Sequence, residues 1–264
     1  AEQVKQYVTR TYTLNGPGAH HGDSDGALAE KRIEFVLQAE QLGTAHAVMQ
    51  VLPYLKRSKN GLLILSGDVP LLSFETINRM IEQQIRGDTE LDIATAKLDD
   101  PGSLGRIKRS ETGELEAIVE MADATEEDLA IKEVNVGAYC IDSDHRFLDV
   151  LSDVQANNAQ GEYYLTDVVH KMLDDGVPVI PYVTPDPLEI LSVTTRWDIP
   201  GIWPIIMRRY MRRLAEECGV TIVAPENTYI EPGAQIGHDT IIYLSLIHIS
   251  EPTRPLYISY AVFC

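Results

Sequence analysis

Residues 61–70 read GLLILSGDVP, and this stretch decides the fold. The near-continuous apolar run over Gly61–Ser66 is typical of a β-strand buried on both faces, as strands are in a parallel sheet covered by helices. The carboxylate of Asp68 follows directly. Ligands of open α/β sheets bind outside the carboxyl ends of the strands. The stretch therefore predicts a central strand with Asp68 at a candidate ligand site; the alternative is that Asp68 only caps the next turn.

Strands and helices alternate on both sides of this stretch. The predicted strands are Ile33–Leu37, Gly61–Ser66, Leu91–Lys97, Gly105–Arg109, Leu115–Glu120, Val134–Ile141 and Val179–Val183, of which the fourth and fifth form a hairpin. The predicted helices are Gly43–Leu55, one from an N-cap at Ser73 to about Arg86, and Leu165–Asp175. Such alternation predicts an α/β domain with a mostly parallel sheet.

Charge and composition exclude some classes of partner. The chain has 264 residues, of which 22 are Lys or Arg and 40 are Asp or Glu, so its formal net charge is −18. General nucleic-acid binding depends largely on Lys and Arg neutralising phosphates, so we expect no nucleic-acid partner. On such an acidic protein, a small phosphorylated substrate would need a local phosphate-binding group such as a metal ion, a helix N-terminus or a glycine-rich loop.

The cysteine pattern and the hydropathy indicate the compartment. Cys140, Cys218 and Cys264 are far apart, which is typical of free thiols in a reducing cytosol. The sequence contains neither an apolar run long enough to span a bilayer nor a signal peptide. We therefore expect a cytoplasmic protein without a membrane partner.

The pattern changes beyond Pro200. Ile202–Glu217 reads as a basic and apolar helix that ends at Gly219. Ile230, Ile236 and Ile242 then recur every six residues. A six-residue period with one aliphatic residue per step indicates the start of a parallel β-helix, and the alternative is an ordinary β-hairpin.

The two ends of the chain have unusual features. The opening AEQVKQYV resembles the end of a helix and does not begin with Met, so we expect a segment upstream; Thr9–Glu30 follows as a polar surface loop. From Leu244 onward the six-residue period stops. Leu244–Arg254 and Ile258–Cys264 back-translate to the two parts of a sequencing-library adapter at the right separation. We therefore interpret residues 244–264 as a non-native adapter translation with apolar residues prone to aggregation.

Three motifs carry candidate binding residues. Residues 37–44 (LQAEQLGT) end in a Gly-Thr turn that begins a helix, which suits a nucleobase edge or a phosphate. Residues 66–71 (SGDVPL) include Asp68, and a single Asp facing phosphates usually implies Mg²⁺ between them. Residues 157–167 (NNAQGEYYLTD), with Gly105, Glu120 and Asn135 at nearby strand ends, supply the amides and carboxylates that a sugar requires. For each residue of this third group a structural hydrogen bond is an equal alternative, and for the Gly-Thr turn the alternative is a plain helix start.

Taken together, the motifs resemble one family. LQAEQLGTAHAV, SGDVPLL, GRIKR, IVE, VNVGAY and NNAQGEYYLTDV occur in the order found in the bacterial bifunctional UDP-N-acetylglucosamine pyrophosphorylases/glucosamine-1-phosphate N-acetyltransferases. The resemblance covers roughly residues 1–243. It implies a Rossmann-like nucleotidyltransferase domain over residues 1–200, a linker helix over 201–219 and the first coil of a left-handed parallel β-helix over 220–243.

The resemblance also implies a role for individual residues. Asp68 corresponds to the Mg²⁺ ligand of the catalytic site. Three residues correspond to contacts with the uracil base: Gln38, Gly43 and Thr44. Seven more correspond to positions around the nucleotide and the N-acetylglucosamine moiety: Ser66, Gly67, Gly105, Glu120, Asn135, Tyr164 and Thr166.

The chain departs from the family pattern in two places. The family begins with a glycine-rich phosphate loop of the type LAAGxGTRM, and no such motif occurs in residues 1–264. The family also has an Asn as second Mg²⁺ ligand, at the position that Thr194 occupies here. A hydroxyl is a poorer ligand than an amide oxygen, so Thr194 is not included among the predicted site residues.

The resemblance implies a specific reaction for the longer protein. In this reaction N-acetylglucosamine 1-phosphate attacks UTP, and UDP-N-acetylglucosamine and pyrophosphate form with Mg²⁺ as cofactor. The longer protein is expected to be a homotrimer through its β-helix. We expect the 264-residue chain itself to be inactive. The alternatives are another sugar-phosphate nucleotidyltransferase and a non-catalytic module that binds nucleotide sugars.

Overall fold

The computed structural model describes residues 35–55, 61–87, 89–142, 146–231 and 234–243. The chain divides into two compact units, of which one is Val36–Thr194 and the other contains the residues from Thr195 onward. The predicted loop Thr9–Glu30, the beginning of the predicted strand Ile33–Leu37 and the tail 244–264 lie outside the described residues.

A six-stranded sheet forms the centre of the unit Val36–Thr194. Its strands are β1 (Leu62–Leu65), β2 (Leu91–Lys97), β3 (Arg106–Arg109), β4 (Leu115–Val119), β5 (Glu133–Ile141) and β6 (Val179–Val183). The order is β4-β3-β5-β2-β6, and β1 also pairs with β5. The predicted hairpin of β3 and β4 is confirmed.

The sheet is mixed, so the prediction of a mostly parallel sheet is wrong. Within the described residues, β2 and β6 form the parallel pair, whereas β5 runs antiparallel to β1, β2 and β3. β5 follows a hairpin and two short helical segments, and it returns to pair with both β1 and β2. The alternation of elements along the sequence does not show this reversal, because a strand's own pattern carries no information about its direction.

Two further strand predictions fail in part. The Gly61–Ser66 stretch forms β1, but it is not buried on both faces: Leu65 is 45% exposed. Among the described residues β1 pairs on one side only, with β5. Residues 35–37 lie in no strand, and the side chain of Leu37 is 71% exposed.

Five helices accompany the sheet among the described residues. They are α1 (Thr44–Met49), α2 (Phe74–Arg86), α3 (Glu126–Leu129), α4 (Arg146–Asp153) and α5 (Leu165–Asp174). Ser73 caps α2 as predicted, because its hydroxyl accepts a hydrogen bond from the amide of Thr76. α1 is shorter than predicted and is followed by a 3₁₀ turn over Leu52–Tyr54, since Pro53 has no N–H to donate to the carbonyl of Met49. α3 and α4 were not predicted.

Apolar side chains cover both faces of the sheet. Leu91 and Ile93 of β2 pack in one cluster with Phe147 of α4 and Met172 of α5. Ala94 and Ala96 belong to a second cluster, which contains Met80 of α2. Neighbouring residues of β2 thus contribute to opposite faces, as the pleat of a strand requires. The result is a layered α/β unit whose strand ends are available for a site.

In its described residues, the second unit contains one long helix and a short sheet. The helix α6 (Ile199–Cys218) ends before Gly219 as predicted and packs Met207, Met211 and Leu214 in one apolar cluster. β7 (Thr221–Ile222) and β8 (Ile241–Ile242) pair in parallel. A hairpin would pair them antiparallel, so the hairpin alternative is wrong for these strands. No helix in the described part of the chain is long and apolar enough to cross a membrane.

Candidate functional site

A cavity of about 550 Å³ opens beside the start of α1. Five of the predicted site residues line it: Gln38, Gly43, Thr44, Glu120 and Tyr164. Ser103, Gln160 and Glu162 line it as well and were not predicted individually, although the last two belong to the quoted motif 157–167. The structure therefore brings the first and third sequence motifs together around one volume.

Backbone hydrogen bonds join these two motifs. The amide of Tyr163 donates to the carbonyl of Leu42 (2.8 Å), and the amide of Ala45 donates to the carbonyl of Tyr163 (2.9 Å). The hydroxyl of Thr44 accepts from the amide of Leu165 at 3.0 Å. One wall of the cavity thus consists of residues 42–45 hydrogen-bonded to residues 163–165, about 120 residues further along the chain. We call this pairing the seam.

Gly43 is required by this seam. Its φ of 112° lies in the region that side chains rarely adopt, and an added Cβ would lie 2.5 Å from the carbonyl oxygen of Tyr163. Next to it, the side-chain amide of Gln38 donates to the carbonyl of Gly43 and contacts Nδ1 of His46, each at 3.1 Å. The position of Gln38 in the cavity wall is therefore coupled to the start of α1.

Glu120 forms the acidic part of the cavity. Burial raises the pKa of its carboxyl, the hydrogen bond from Thr166 lowers that pKa, and the nearby carboxylates of Asp167 and Asp123 raise it further; the net effect is an increase. Gly105 lies beside it, and an added Cβ there would approach Oε2 of Glu120 to 3.2 Å. Thr166 thus contacts Glu120 directly, and a side chain at position 105 would crowd the carboxylate.

Asn135 and Ser66 are connected to this group through β5. The amide of Asn135 donates to the carbonyl of Gly105 at 2.9 Å, and its side chain bonds to the hydroxyl of Tyr139 and to the amide of Gly137. The hydroxyl of Ser66 donates to the carbonyl of Gly137 at 3.1 Å. Neither Tyr139 nor Gly137 was predicted from the sequence, because their roles depend on contacts between distant strands.

Asp68 lies after β1 and does not line the cavity described above. It is exposed, and its carbonyl accepts a 2.7 Å hydrogen bond from the amide of Val193, which brings Thr194 into the same region. Gly67 precedes it and is open, with space for a Cβ. The described residues contain no group of three His, Cys, Asp or Glu that could hold a metal by themselves. Mg²⁺, however, usually binds through one or two carboxylates together with substrate phosphates and water, and an exposed Asp68 fits that kind of site.

The α/β fold agrees with the protein family that the sequence matches. Residues 3–197 match the family described as "Nucleotidyl transferase". The match covers well over half of the chain, and the chain therefore belongs to the nucleotidyl transferase family.

Comparison with individual proteins gives matches more specific than the family. The chain is 40% identical over 242 residues to "Bifunctional protein GlmU" of Bacillus velezensis, with 92% of this chain and 52% of the relative covered. It is 41% identical over 243 residues to the protein of the same name from Geobacillus sp. strain WCH70, with the same coverage. The chain thus spans about half the length of the curated relatives it matches. Among solved structures, a UDP-glucose pyrophosphorylase complexed with UDP-glucose aligns over 55% of each chain with 16% identity and a TM-score of 0.42, which is too low to support an argument.

Proposed function

We propose that this chain carries the uridylyl-transfer site of a GlmU-type protein. The reaction of the longer protein is the transfer of a uridylyl group from UTP to N-acetylglucosamine 1-phosphate. The identity of about 40% to proteins of that name supports the proposal. The observation that carries it is the seam between residues 42–45 and 163–165, beside which Gln38, Gly43, Thr44, Glu120 and Tyr164 line one cavity.

The proposed binding roles are those that the family resemblance implies. Gln38, Gly43 and Thr44, at the start of α1, would contact the uracil base. Ser66 and Gly67 would lie along the nucleotide. The amino sugar would contact the residues around Glu120, namely Gly105, Glu120, Asn135, Tyr164 and Thr166. The hydroxyl groups and the acetamido group of the sugar match these carboxylate, amide and hydroxyl partners.

The resident metal would be Mg²⁺, held by Asp68 and by phosphate oxygens of the substrate. The Val193–Asp68 hydrogen bond brings the neighbouring residue Thr194 near Asp68. When bound, Mg²⁺ would neutralise the negative charge of the substrate phosphates, which the carboxylate of Asp68 alone would repel. Asp68 therefore acts by holding a cation and does not accept a proton from the substrate.

The chemical step needs little covalent help from the protein. An oxygen of N-acetylglucosamine 1-phosphate forms a bond to the α-phosphorus of UTP while the bond to the β-phosphate oxygen breaks and pyrophosphate leaves. The residues around the cavity position the two substrates in line, and positioning can supply a large part of the rate. Glu120 and Thr166 contribute by orienting the sugar.

The rest of the proposal concerns the longer protein. We propose a linker helix over residues 201–219 and the first coil of a left-handed β-helix over 220–243; the parallel pairing of β7 and β8 supports this. The acetyltransferase half and a cytoplasmic homotrimer would follow from a complete β-helix. Residues 244–264 are proposed to be a non-native translation.

The proposal is tested with the chain as it stands and with a completed gene. For the 264-residue chain we expect weak binding of UTP and no turnover, because the triphosphate loop of the family does not occur in its sequence. UDP-N-acetylglucosamine would also contact the proposed sugar-binding residues, so the same chain should bind it more tightly than UTP in a calorimetric or NMR titration. Measurable formation of UDP-N-acetylglucosamine by the chain alone would contradict its proposed inactivity.

A completed gene distinguishes the alternatives. If a glycine-rich loop is restored upstream, the protein should form UDP-N-acetylglucosamine with Mg²⁺ and should prefer N-acetylglucosamine 1-phosphate to glucose 1-phosphate. A preference for another sugar phosphate would indicate a different nucleotidyltransferase. Binding of nucleotide sugars without turnover would indicate a non-catalytic module.

A further inference from the structure

The imidazole of His46 lies between two side-chain amides. The nitrogen of the Gln38 amide is 3.1 Å from Nδ1 of His46, and the nitrogen of the Gln50 amide is 3.1 Å from Nε2. Gln38 lines the cavity, whereas Gln50 lies at the C-cap of α1. The two ring nitrogens therefore face one amide in the cavity wall and one amide at the end of the helix.

The orientation of each amide is fixed by a backbone carbonyl. The Gln38 nitrogen also lies 3.1 Å from the carbonyl oxygen of Gly43, and the Gln50 nitrogen lies 3.1 Å from the carbonyl oxygen of His46 itself. A carbonyl oxygen only accepts, so the amide atom facing it must be the NH₂ group. Both amides consequently offer donors to the imidazole.

A neutral imidazole can accept only one of these two bonds. One of its nitrogens carries the hydrogen and donates, and the other accepts. The contacts of Gln38 and Gln50 with His46 therefore compete. Gln50 is partly exposed at a helix end, so water can replace its contact. Gln38 is held in the cavity wall beside Gly43.

We propose that His46 is a positioning residue that carries its hydrogen on Nε2 and accepts from Gln38 at Nδ1. Both hydrogens of the Gln38 amide are then used within the protein, by Gly43 and by His46. The amide oxygen remains as the acceptor that Gln38 presents to the cavity. His46 would thus reinforce, together with the carbonyl of Gly43, the orientation that presents this oxygen, without contacting the ligand.

This inference deepens the proposed function and rests on it for the ligand. Uracil carries a donor at N3, whereas cytosine carries an acceptor at N3. A fixed amide oxygen at Gln38 pairs with the uracil donor and opposes the cytosine acceptor. Without His46 the carbonyl of Gly43 alone holds the amide, and turning the amide over costs one hydrogen bond less. Loss of His46 should therefore relax base selectivity more than it weakens binding.

The first test needs no ligand. Long-range ¹H–¹⁵N correlation spectra of the ¹⁵N-labelled chain report which ring nitrogen of each histidine is protonated, and the signals of His46 are assigned by their loss in His46→Asn. We expect the hydrogen on Nε2. A hydrogen on Nδ1 would overturn the inference, since Gln38 could then not donate to that nitrogen.

The second test compares UMP and CMP by NMR titration in four proteins. We expect His46→Ala to lower the ratio of UMP to CMP affinity by about 3- to 10-fold, the effect of one hydrogen bond. His46→Asn, whose side-chain oxygen can stand near the position of Nδ1, should restore part of the ratio. Gln50→Ala removes the competing contact from the same ring and should leave the ratio unchanged or higher.

The outcomes separate the inference from the proposed function. An equal loss of selectivity in Gln50→Ala and His46→Ala would overturn the inference, because it would indicate that the amides only support α1. Two-dimensional amide spectra show whether each variant is folded. If His46→Ala is unfolded, the affinities of His46→Asn and the ¹H–¹⁵N correlation spectra of the imidazole test the inference. Failure of every protein to bind UMP, with the hydrogen of His46 on Nε2, would sustain the positioning role and contradict the uridine site.

Discussion

The hydroxyl of Thr166 donates a hydrogen bond of 3.1 Å to Oε1 of Glu120, and this contact joins α5 to the end of β4 at the cavity. Burial raises the pKa of Glu120, and the Thr166 hydrogen bond is the largest effect that opposes the increase. The charged form of Glu120 is thus held in the cavity partly by its neighbour on α5. Two predictions about pH follow from this pair.

The first concerns Thr166→Val, which keeps the shape of the side chain and removes the donor. The pKa of Glu120 should rise above its value in the unchanged protein, because the effect that lowers it is lost while burial remains. A ¹³C NMR titration of the side-chain carboxyl measures the shift. An unchanged or lower pKa in the variant would contradict the role of Thr166.

The second concerns Glu120→Gln and the dependence of stability on pH. Because the pKa of Glu120 is higher in the folded state, the folded protein binds this proton more tightly, and stability falls as pH rises from the usual glutamate pKa through the raised one. Glu120→Gln removes this loss, so the variant should gain stability relative to the unchanged protein as pH increases across that window. Urea unfolding at several pH values measures the difference. A gain confined to acidic pH would have the wrong sign.

An ion pair outside the cavity provides a prediction about stability. Arg109 forms two hydrogen bonds to Glu133, of 2.8 and 2.6 Å, and Thr95 donates a third of 2.8 Å. Burial raises the pKa of Glu133, but the bonds from Arg109 and Thr95 outweigh it and the pKa is lowered. Arg109→Met should cost about 2 kcal/mol, less than for a fully buried pair because Arg109 is partly exposed.

The Arg109–Glu133 pair has a matched control and a pH signature. Arg79 and Glu82 form an exposed pair at 3.3 Å, and Arg79→Met should cost about 0.5 kcal/mol or less. Since the pKa of Glu133 is lowered, its contribution is present above the usual glutamate pKa and is lost as pH falls through the lowered value. Chemical unfolding of the two variants at neutral and acidic pH measures both effects. Equal costs for Arg79→Met and Arg109→Met would contradict this account.

Gly43→Ala tests the seam between the two motifs. The added methyl would lie 2.5 Å from the carbonyl oxygen of Tyr163 on a backbone with φ of 112°, so we expect a loss of about 2 kcal/mol or more and a loss of ligand binding. Gly67→Ala is the control for stability, because nothing lies within 4 Å of its added Cβ. Urea unfolding compares the two, and a stable Gly43→Ala would contradict the seam.

Local elements of the fold were predictable because their signals are local. The cap at Ser73 and the strand over Leu91–Lys97 are confirmed within a residue. The direction of β5 was not predictable, because it depends on which strands it pairs with and not on its own residues. The exposure of β1 likewise depends on its neighbours in the sheet.

The candidate site shows the same division. Gln38, Gly43, Thr44, Glu120 and Tyr164 were found from motifs and do line one cavity. The contact of His46 with Gln38 was missed, because it depends on how the chain turns at Gly43. Gly137, the partner of Ser66, and Tyr139, the partner of Asn135, were missed because the sequence does not show which side chains meet within the folded sheet. The binding role of every one of these residues remains a prediction.

The most direct measurement of the central claim is the effect of Asp68→Asn on Mg²⁺-dependent uridylyl transfer in the completed gene. The account predicts a fall of about 100-fold or more, since an amide holds the cation less well than a carboxylate. Asp99→Asn, an exposed carboxylate after β2 that bonds to Lys132, should leave the rate unchanged. Full activity of a folded Asp68→Asn protein would contradict the account.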